Sequence, residues 1–186
     1  MPVRLLALSG SLRRESVNAA LLHAAAQLFP PEVVVDFYSS HGNLPHFSPD
    51  IEAEAWPAVE QLRTVVSAAD GLLIACPEYA HGLPGSFKNA LDWLVGGGEL
   101  TDKPISVLNA SARSIHGPPA LLKILRTMGG VPVPPKAVVV NIPRLSTAAD
   151  ILASPGTCAA LSQAVESLVL AIQKNKTAEP VEASGY

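Results

Sequence analysis

Two polar stretches of this sequence carry side chains that could hold a ligand through hydrogen bonds and charge. Residues 9–18, SGSLRRESVN, combine serine hydroxyls, an asparagine amide and two arginine guanidinium groups. Such donors bind phosphate, most effectively at the N-terminus of a helix. Residues 77–82, PEYAHG, add an aromatic ring and backbone amides, which suit the edge of a flat polar heterocycle. Together the stretches predict a site for a phosphorylated ring compound.

Both stretches follow short apolar runs that are typical of buried strands. Residues 3–8 precede the first stretch and residues 72–75 precede the second. Runs this short fit strands that are covered on both faces. A helical pattern of apolar residues then follows each stretch, over residues 19–29 and 87–94. Each polar stretch is therefore predicted to be a loop between the carboxyl end of a strand and the start of a helix.

The remaining chain continues the alternation of strands and helices. Further strands are predicted at residues 32–37, 104–109 and 136–140, and further helices at 56–69, 118–128 and 154–174. The alternation indicates an α/β fold with a parallel sheet and helices on both faces. The expected sheet has five strands in 2-1-3-4-5 order, one of the doubly wound orders, with strands one and three at its switch point. One domain is expected over residues 1–174, with a flexible tail over 175–186. The loops after strands one, three and four should line one crevice at the switch point of the sheet.

Composition excludes several classes of protein. Hydrophobic residues make up 48% of the 186 residues and charged residues 16%, which is enough apolar material for a core. The net charge of −3 gives no electrostatic basis for binding nucleic acid or an anionic membrane. Cys76 and Cys158 have no metal-binding spacing, and no apolar run approaches the ~18 residues of a membrane span. The sequence predicts a cytoplasmic protein without a metal.

The first loop narrows the class of cofactor. It contains neither GxGxxG nor GxxxxGK[ST], so neither the dinucleotide fingerprint nor the P-loop is present. Its donors suit a monophosphate, and flavin mononucleotide (FMN) joins a monophosphate to a flat polar ring and binds at the switch point of this strand order. Arg13, which is nearer the strand than Arg14, is expected to face the phosphate. Ser16 and Asn18 are also good N-cap residues, so capping alone stays open for each.

Two motifs resemble those of a known family. Residues 10–21, GSLRRESVNAAL, resemble the pattern GSLRxxSxNxxL, and residues 77–94, PEYAHGLPGSFKNALDWL, resemble PEYNxxxPGxLKNxIDWL. Both patterns belong to the NADPH-dependent FMN reductase family, which includes quinone, chromate and azo-dye reductases. The resemblance implies a flavodoxin-like three-layer sandwich with bound FMN, reduced by NADPH or NADH. It also implies a homodimer or homotetramer in which the third helix lies at the interface.

The resemblance further implies which residues contact the cofactor. Those implied at or beside the phosphate end are Ser9, Ser11, Leu12, Arg13, Ser16 and Asn18, and those implied at the flavin ring are Pro77, Glu78, Tyr79, Ala80, His81 and Ser111. No side chain is implied as catalytic, because the flavin carries the hydride. Ala80 departs from the family pattern, which has asparagine there. Residues 109–117 lack the glycine-rich GxxGG pattern of many relatives, so the acceptor side of the site is expected to differ.

Several alternatives stay open. A flavodoxin-type electron carrier would use a TxTGxT loop, which is absent, and a phosphatase of this topology would need a cysteine in the first loop. A non-catalytic nucleotide-binding module would keep the fold without the flavin. His41 and His46 fit no metal spacing and are predicted to be surface residues. His81 and His116 are predicted either to donate to a bound acceptor or to have a structural or solvent-facing role. Trp93 is predicted either to pack internally or to contact a second subunit.

Overall fold

Six parallel strands form one sheet in the part of the chain that the structure, a computed structural model, describes: residues 2–50, 52 and 56–177. The strands are β1 (Val3–Ser9), β2 (Val33–Tyr38), β3 (Gly71–Ala75), β4 (Pro104–Asn109), β5 (Val131–Pro132) and β6 (Val138–Val139). Their order is β2-β1-β3-β4-β5, and β6 also pairs with β4. The predicted parallel sheet in 2-1-3-4-5 order is therefore confirmed.

Helices cover both faces of the sheet. They are α1 (Val17–Ala26), α2 (Pro57–Ala68), α3 (Gly85–Asp92), α4 (Gly117–Thr127), α5 (Ala148–Leu152) and α6 (Pro155–Thr177), with a short 3₁₀ helix at Ser40–Asn43. Successive residues of β1 alternate between the faces. Leu6 and Leu8 pack in a core with α2, α3 and α4, whereas Leu5 and Ala7 pack in a second core with α1, α5 and α6. The result is the predicted flavodoxin-like three-layer sandwich.

The fifth strand is split, so the prediction of one strand over residues 136–140 is wrong. β5 pairs with the start of β4, and β6 pairs with its end. Pro134 and Pro135 lie between the two segments and have no N–H group to continue the ladder. Residues 134–137 therefore leave the edge of the sheet between two short pairings.

Helix α5 is an element that the apolar pattern did not predict. It has five residues, too few to show a helical period. A capping box nevertheless fixes its start: the Asp150 N–H donates to the Thr147 hydroxyl at 3.2 Å, and the Thr147 N–H donates to the Asp150 carboxylate at 2.8 Å. The spacing of these two residues is a recognised helix-start signal and was available in the sequence.

Helix α6 is, among the described helices, long and apolar enough to span a membrane by length and composition alone. This corrects the expectation that no segment approaches that length. Four of its buried residues pack in the second core against the sheet; they are Leu161, Ala164, Leu168 and Ile172. A core helix passes the same test. The helix extends to Thr177, three residues beyond its predicted end, and residues 178–186 of the predicted tail lie outside the described residues.

Trp93 packs inside its own subunit. It is 3% exposed, and its Nε1–H donates to the Pro45 carbonyl at 2.8 Å. The Phe47 ring meets it edge-on at a centroid distance of 5.2 Å. Asn89 joins the same contact, because its Nδ2 donates to the Pro45 carbonyl at 2.9 Å and its Oδ1 accepts from the Phe47 N–H at 2.8 Å. The alternative that Trp93 contacts a second subunit therefore loses its basis.

The two histidines of the same segment differ in their surroundings. His46 is exposed, as predicted. The prediction of a surface position is wrong for His41, which is 3% exposed and lies edge-on to Phe87 at a centroid distance of 5.8 Å. The 3₁₀ helix at Ser40–Asn43 turns its ring onto α3. Burial lowers the pKa of His41 and favours the neutral imidazole.

Candidate functional site at the carboxyl ends of the strands

Three loops meet at the carboxyl ends of β1, β3 and β4, as predicted: loop one (residues 10–16), loop two (residues 76–84) and loop three (residues 110–116). Loops one and two are in direct contact. The Gly10 N–H donates to the Ala75 carbonyl at 2.9 Å, and a Cβ at Gly10 would lie 2.4 Å from the Cys76 sulfur. Only glycine allows so close an approach. The two predicted binding stretches therefore begin side by side.

Glu78 joins loop two to loop three. Its Oε2 accepts hydrogen bonds from the backbone N–H groups of His116 at 2.8 Å and Gly117 at 2.7 Å. These amides open helix α4, whose N-cap residue, His116, makes no side-chain capping bond. A carboxylate from another loop thus satisfies the helix start. The sequence contained one indirect signal, a helix that begins Gly-Pro-Pro with histidine at its N-cap position in place of Ser, Thr, Asp or Asn.

These bonds should make part of the stability depend on pH. The Gly117 N–H bond, followed by the His116 contacts, lowers the pKa of Glu78. The carboxylate therefore stabilises the fold fully above its unfolded pKa of about 4.3, and this contribution is lost as the pH falls through the lowered folded pKa. We expect Glu78→Gln to reduce the free energy of unfolding at about pH 7, and the difference from the wild type to shrink as the pH falls below about 4.3.

Urea unfolding of both proteins across this pH range measures the difference. The matched control is Glu166→Gln, which removes an exposed carboxylate from α6. The control should follow the wild-type curve at every pH. A difference between wild type and Glu78→Gln that does not shrink as the pH falls below about 4.3 would contradict an ionised carboxylate at the start of α4.

Of the two candidate N-cap residues at the start of helix α1, one caps the helix and the other does not. Ser16 is the N-cap residue, and its hydroxyl oxygen accepts from the Ala19 N–H at 3.4 Å. Asn18 makes no capping bond. Its side chain is 6% exposed, and its Oδ1 has no hydrogen-bond partner among the described residues. The N–H groups of Val17 and Asn18 also lack partners within that part of the chain. Capping explains Ser16 and leaves Asn18 without a structural role.

The serines of loop one hold its backbone in successive turns. The Ser11 N–H donates to the Ser9 hydroxyl oxygen, and the Arg13 N–H donates to the Ser11 hydroxyl oxygen, both at 3.3 Å. Accepting these bonds leaves each hydroxyl proton available as a donor. Arg13 is exposed on this loop, whereas Arg14 lines a cleft beside α1 that Ser16 also lines. Leu12 is 57% exposed and offers an apolar surface beside the polar groups.

Loop two contains a tight hairpin turn. The N–H groups of Tyr79 and Gly82 donate to each other's carbonyls at 3.0 and 2.9 Å. Ala80 and His81, between them, have φ values of 49° and 61°, as a type I′ turn requires. The sequence predicted ring-binding amides throughout residues 78–81, but the Tyr79 amide is engaged. The amides of Glu78, Ala80 and His81 have no partner among the described residues.

The turn gives a physical reason for the family's asparagine at position 80. Asparagine adopts left-handed backbone more readily than alanine does. In this chain Ala80 has the left-handed backbone although it is not an asparagine. The Tyr79 side chain beside it is 50% exposed.

Loop three brings Ser111 and His116 to the same edge of the sheet. The Ser111 N–H donates to Asn109 Oδ1 at 3.2 Å, and its hydroxyl oxygen accepts from the Arg113 N–H at 3.3 Å. His116 lies against His81 of loop two, with ring centroids 4.4 Å apart. The two imidazoles therefore contact each other, although the sequence did not indicate that they would pair.

Two kinds of chemistry find no support at this edge. Cys76 is 6% exposed, and burial raises the pKa of its thiol to about 12, so it does not supply a thiolate. The described residues contain no group of three or more His, Cys, Asp or Glu side chains placed to hold a metal ion.

A comparison with known families identifies the family of this chain. Residues 3–143 match the family described as NADPH-dependent FMN reductase. The chain belongs to this family. The match includes loops one, two and three in full, so the whole candidate site lies within the shared region.

Individual members of the NADPH-dependent FMN reductase family and its fold show the extent of the similarity. An NAD(P)H-dependent FMN reductase of Pseudomonas aeruginosa is 40% identical over 113 residues, covering 59% of this chain and 60% of that protein. A quinone reductase of Escherichia coli K12 is 33% identical over 119 residues, covering 62% and 63%. The alignments thus span about six tenths of these curated relatives. FerB, a flavoenzyme NAD(P)H:(acceptor) oxidoreductase of Paracoccus denitrificans, has the same fold, with a TM-score of 0.73 at 24% identity over 92% of this chain and 98% of FerB.

Proposed function

We propose that this protein is an FMN-dependent NAD(P)H oxidoreductase that passes hydride from a nicotinamide cofactor through bound FMN to a small-molecule acceptor. The observation that carries the proposal is a set of polar groups at one edge of the sheet that have no hydrogen-bond partner among the described residues. They comprise the Asn18 Oδ1 and the first amides of α1, directly after loop one, and three amides on loop two. Membership of the NADPH-dependent FMN reductase family supports the same conclusion.

The residues of loop one fit the phosphate and ribityl end of FMN. The N-terminus of α1 and its free amides favour an anion. Arg13 and the hydroxyls of Ser11 and Ser16 would bind the phosphate, with Ser9 and Leu12 beside it. Asn18 Oδ1 can accept a hydrogen bond from a ribityl hydroxyl, which would satisfy a buried group that otherwise lacks a partner.

The residues of loop two fit the ring. The free amides of Glu78, Ala80 and His81 can donate to ring oxygens and nitrogens, and Pro77 and Tyr79 supply apolar and aromatic surface beside them. Ser111 would lie near the ring from loop three. FMN, when bound, supplies the hydride chemistry. The protein binds and orients it, and the Glu78 carboxylate fixes loop two against the start of α4.

Quinones are the acceptor class that the relatives favour. The relatives of this chain include quinone reductases and a 2-hydroxy-1,4-benzoquinone reductase of a Burkholderia species. The latter is 41% identical over 93 residues, half of each protein. Azo compounds, metal oxyanions and free flavin are the other acceptors that the sequence resemblance implies. The His81 and His116 rings, tilted against each other at a centroid distance of 4.4 Å, offer ring nitrogens to such an acceptor.

The direct test starts from the absorbance spectrum of the purified protein after incubation with FMN and removal of excess. We expect a flavin spectrum, followed by consumption of NADPH or NADH that is much faster with 1,4-benzoquinone than with oxygen. Bound FMN without nicotinamide oxidation would instead identify an electron carrier. Failure to bind FMN would refute both of these functions and leave a non-catalytic module.

The proposal includes a cytoplasmic homodimer or homotetramer. Leu12 and Tyr79, on the two loops assigned to FMN, are 57% and 50% exposed, so a second subunit could cover this open edge. Cys76 and Cys158 are both free thiols, in keeping with a reducing compartment. Light scattering tests the assembly, and a monomer at all concentrations would contradict this part of the proposal.

A further inference from the structure

A cleft of about 590 Å³ lies behind loop three, between helix α4 and residues 135–139. Pro135, Lys136 and Ala137, from the segment between the two parts of the split strand, line one side of the cleft together with Val139 of β6. Its volume is within the range of small-molecule sites in proteins. Loops one and two, which are assigned to FMN, contribute no residue to it.

The walls of this cleft are largely apolar. Pro118, Pro119 and Leu122 line it from α4, Ile115 from loop three and Val139 from β6. Ile115 is 65% exposed and Val139 is 52% exposed, which is unusual for such large aliphatic side chains at neighbouring positions. A flat apolar molecule between these walls would remove both side chains from water.

The charged groups of the cleft are all positive. Arg126 and Lys136 line it, and none of the described lining residues is an aspartate or glutamate. The contrast matters because the chain as a whole carries a net charge of −3. Arg126 donates to the Pro135 carbonyl across the cleft, which holds its charge beside the lining residues. Lys136 is exposed on the opposite segment.

We propose that this cleft binds an organic anion with a flat apolar body, such as an aromatic carboxylate or sulfonate. The apolar body would lie against Ile115, Leu122 and Val139, and the anionic group would pair with Lys136 and Arg126. Charge and shape select this class together: a neutral aromatic lacks the ion pair, and an inorganic anion lacks the apolar contact. The site is independent of the proposed FMN function.

The test uses 2-naphthalenesulfonate as the probe and isothermal titration calorimetry of the FMN-saturated protein. We expect one site whose affinity is the same in FMN-free protein. Lys136→Gln should weaken binding about tenfold through loss of a charge-assisted contact, and Ile115→Asp should weaken it by at least as much. The matched control is Lys123→Gln, the same change on an exposed residue of α4 outside the cleft, and it should bind as the wild type does.

Three results would overturn the proposal. The first is unchanged affinity in both Lys136→Gln and Ile115→Asp, with melting temperatures showing that both variants are folded. The second is competition between the probe and FMN, which would place the probe on loops one and two. The third is equal affinity for neutral 2-methylnaphthalene, which would remove the role of the charge. Loss of FMN binding alone would affect the proposed reductase function and not this site.

Discussion

Replacing Trp93 with alanine should lower the free energy of unfolding by about 3–5 kcal/mol, the usual cost of truncating a buried aromatic residue. The side chain is 3% exposed, and its contact with Phe47 fixes the segment before residue 48 onto α3. Truncation would also remove the hydrogen bond to the Pro45 carbonyl. Urea unfolding monitored by circular dichroism measures the loss.

Two further variants separate internal packing from other effects. Trp93→Phe keeps a ring and loses the Nε1–H donor, while Asn89 still donates to the Pro45 carbonyl, so we expect a loss of only about 1–2 kcal/mol. Trp56→Ala removes the other tryptophan, which is 44% exposed, and should cost under about 1 kcal/mol. If Trp93→Ala dissociated an oligomer and left subunit stability unchanged, the internal role assigned to this residue would be wrong.

Replacing Arg13 with alanine should weaken FMN binding tenfold to a hundredfold. A hydrogen bond to a charged group contributes about 1.5–3 kcal/mol, which corresponds to that range of affinity. Arg13 is exposed and forms no ion pair among the described residues, so its removal should leave stability nearly unchanged. Equilibrium titration with FMN, followed by quenching of flavin fluorescence, gives the dissociation constants.

The neighbouring arginine provides the matched control. Arg14→Ala removes the same charge one residue further along, on a side chain that lines the cleft beside α1. We expect its FMN affinity to stay within about twofold of the wild type, apart from the weak long-range effect of one charge. The reverse pattern, with Arg14→Ala losing affinity and Arg13→Ala retaining it, would assign the phosphate to the other guanidinium.

Local patterns predicted the elements that position the site. The buried strands β1, β3 and β4 were recognisable because each is a short apolar run that ends in polar residues. Their parallel pairing follows from the helices between them, so the convergence of three loops could also be predicted. The predicted extent of the fifth strand was wrong. The high strand propensity of Val138 and Val139 indicated one continuous strand, but Pro134 and Pro135 lack the N–H groups that would continue the ladder beside them.

Side-chain roles at the site were less predictable, because they depend on contacts between distant residues. Glu78 was assigned to the ring from its motif, and the structure shows its carboxylate on the amides of His116 and Gly117, 38 and 39 residues away. His41 lies in a polar segment, so its burial against α3 could not be predicted from the neighbouring residues in the sequence. The His81 and His116 pair likewise depends on two loops meeting.

The sequence by itself determined the strand order, the edge of the sheet that carries the site and the family to which the chain belongs. The spacing of apolar residues and two local motifs are sufficient for these three properties. The tertiary structure alone decided which donors stay free, which carboxylate opens α4 and where the cationic cleft forms. Those properties depend on distances between segments, and a pattern along the chain holds no information on distance across it.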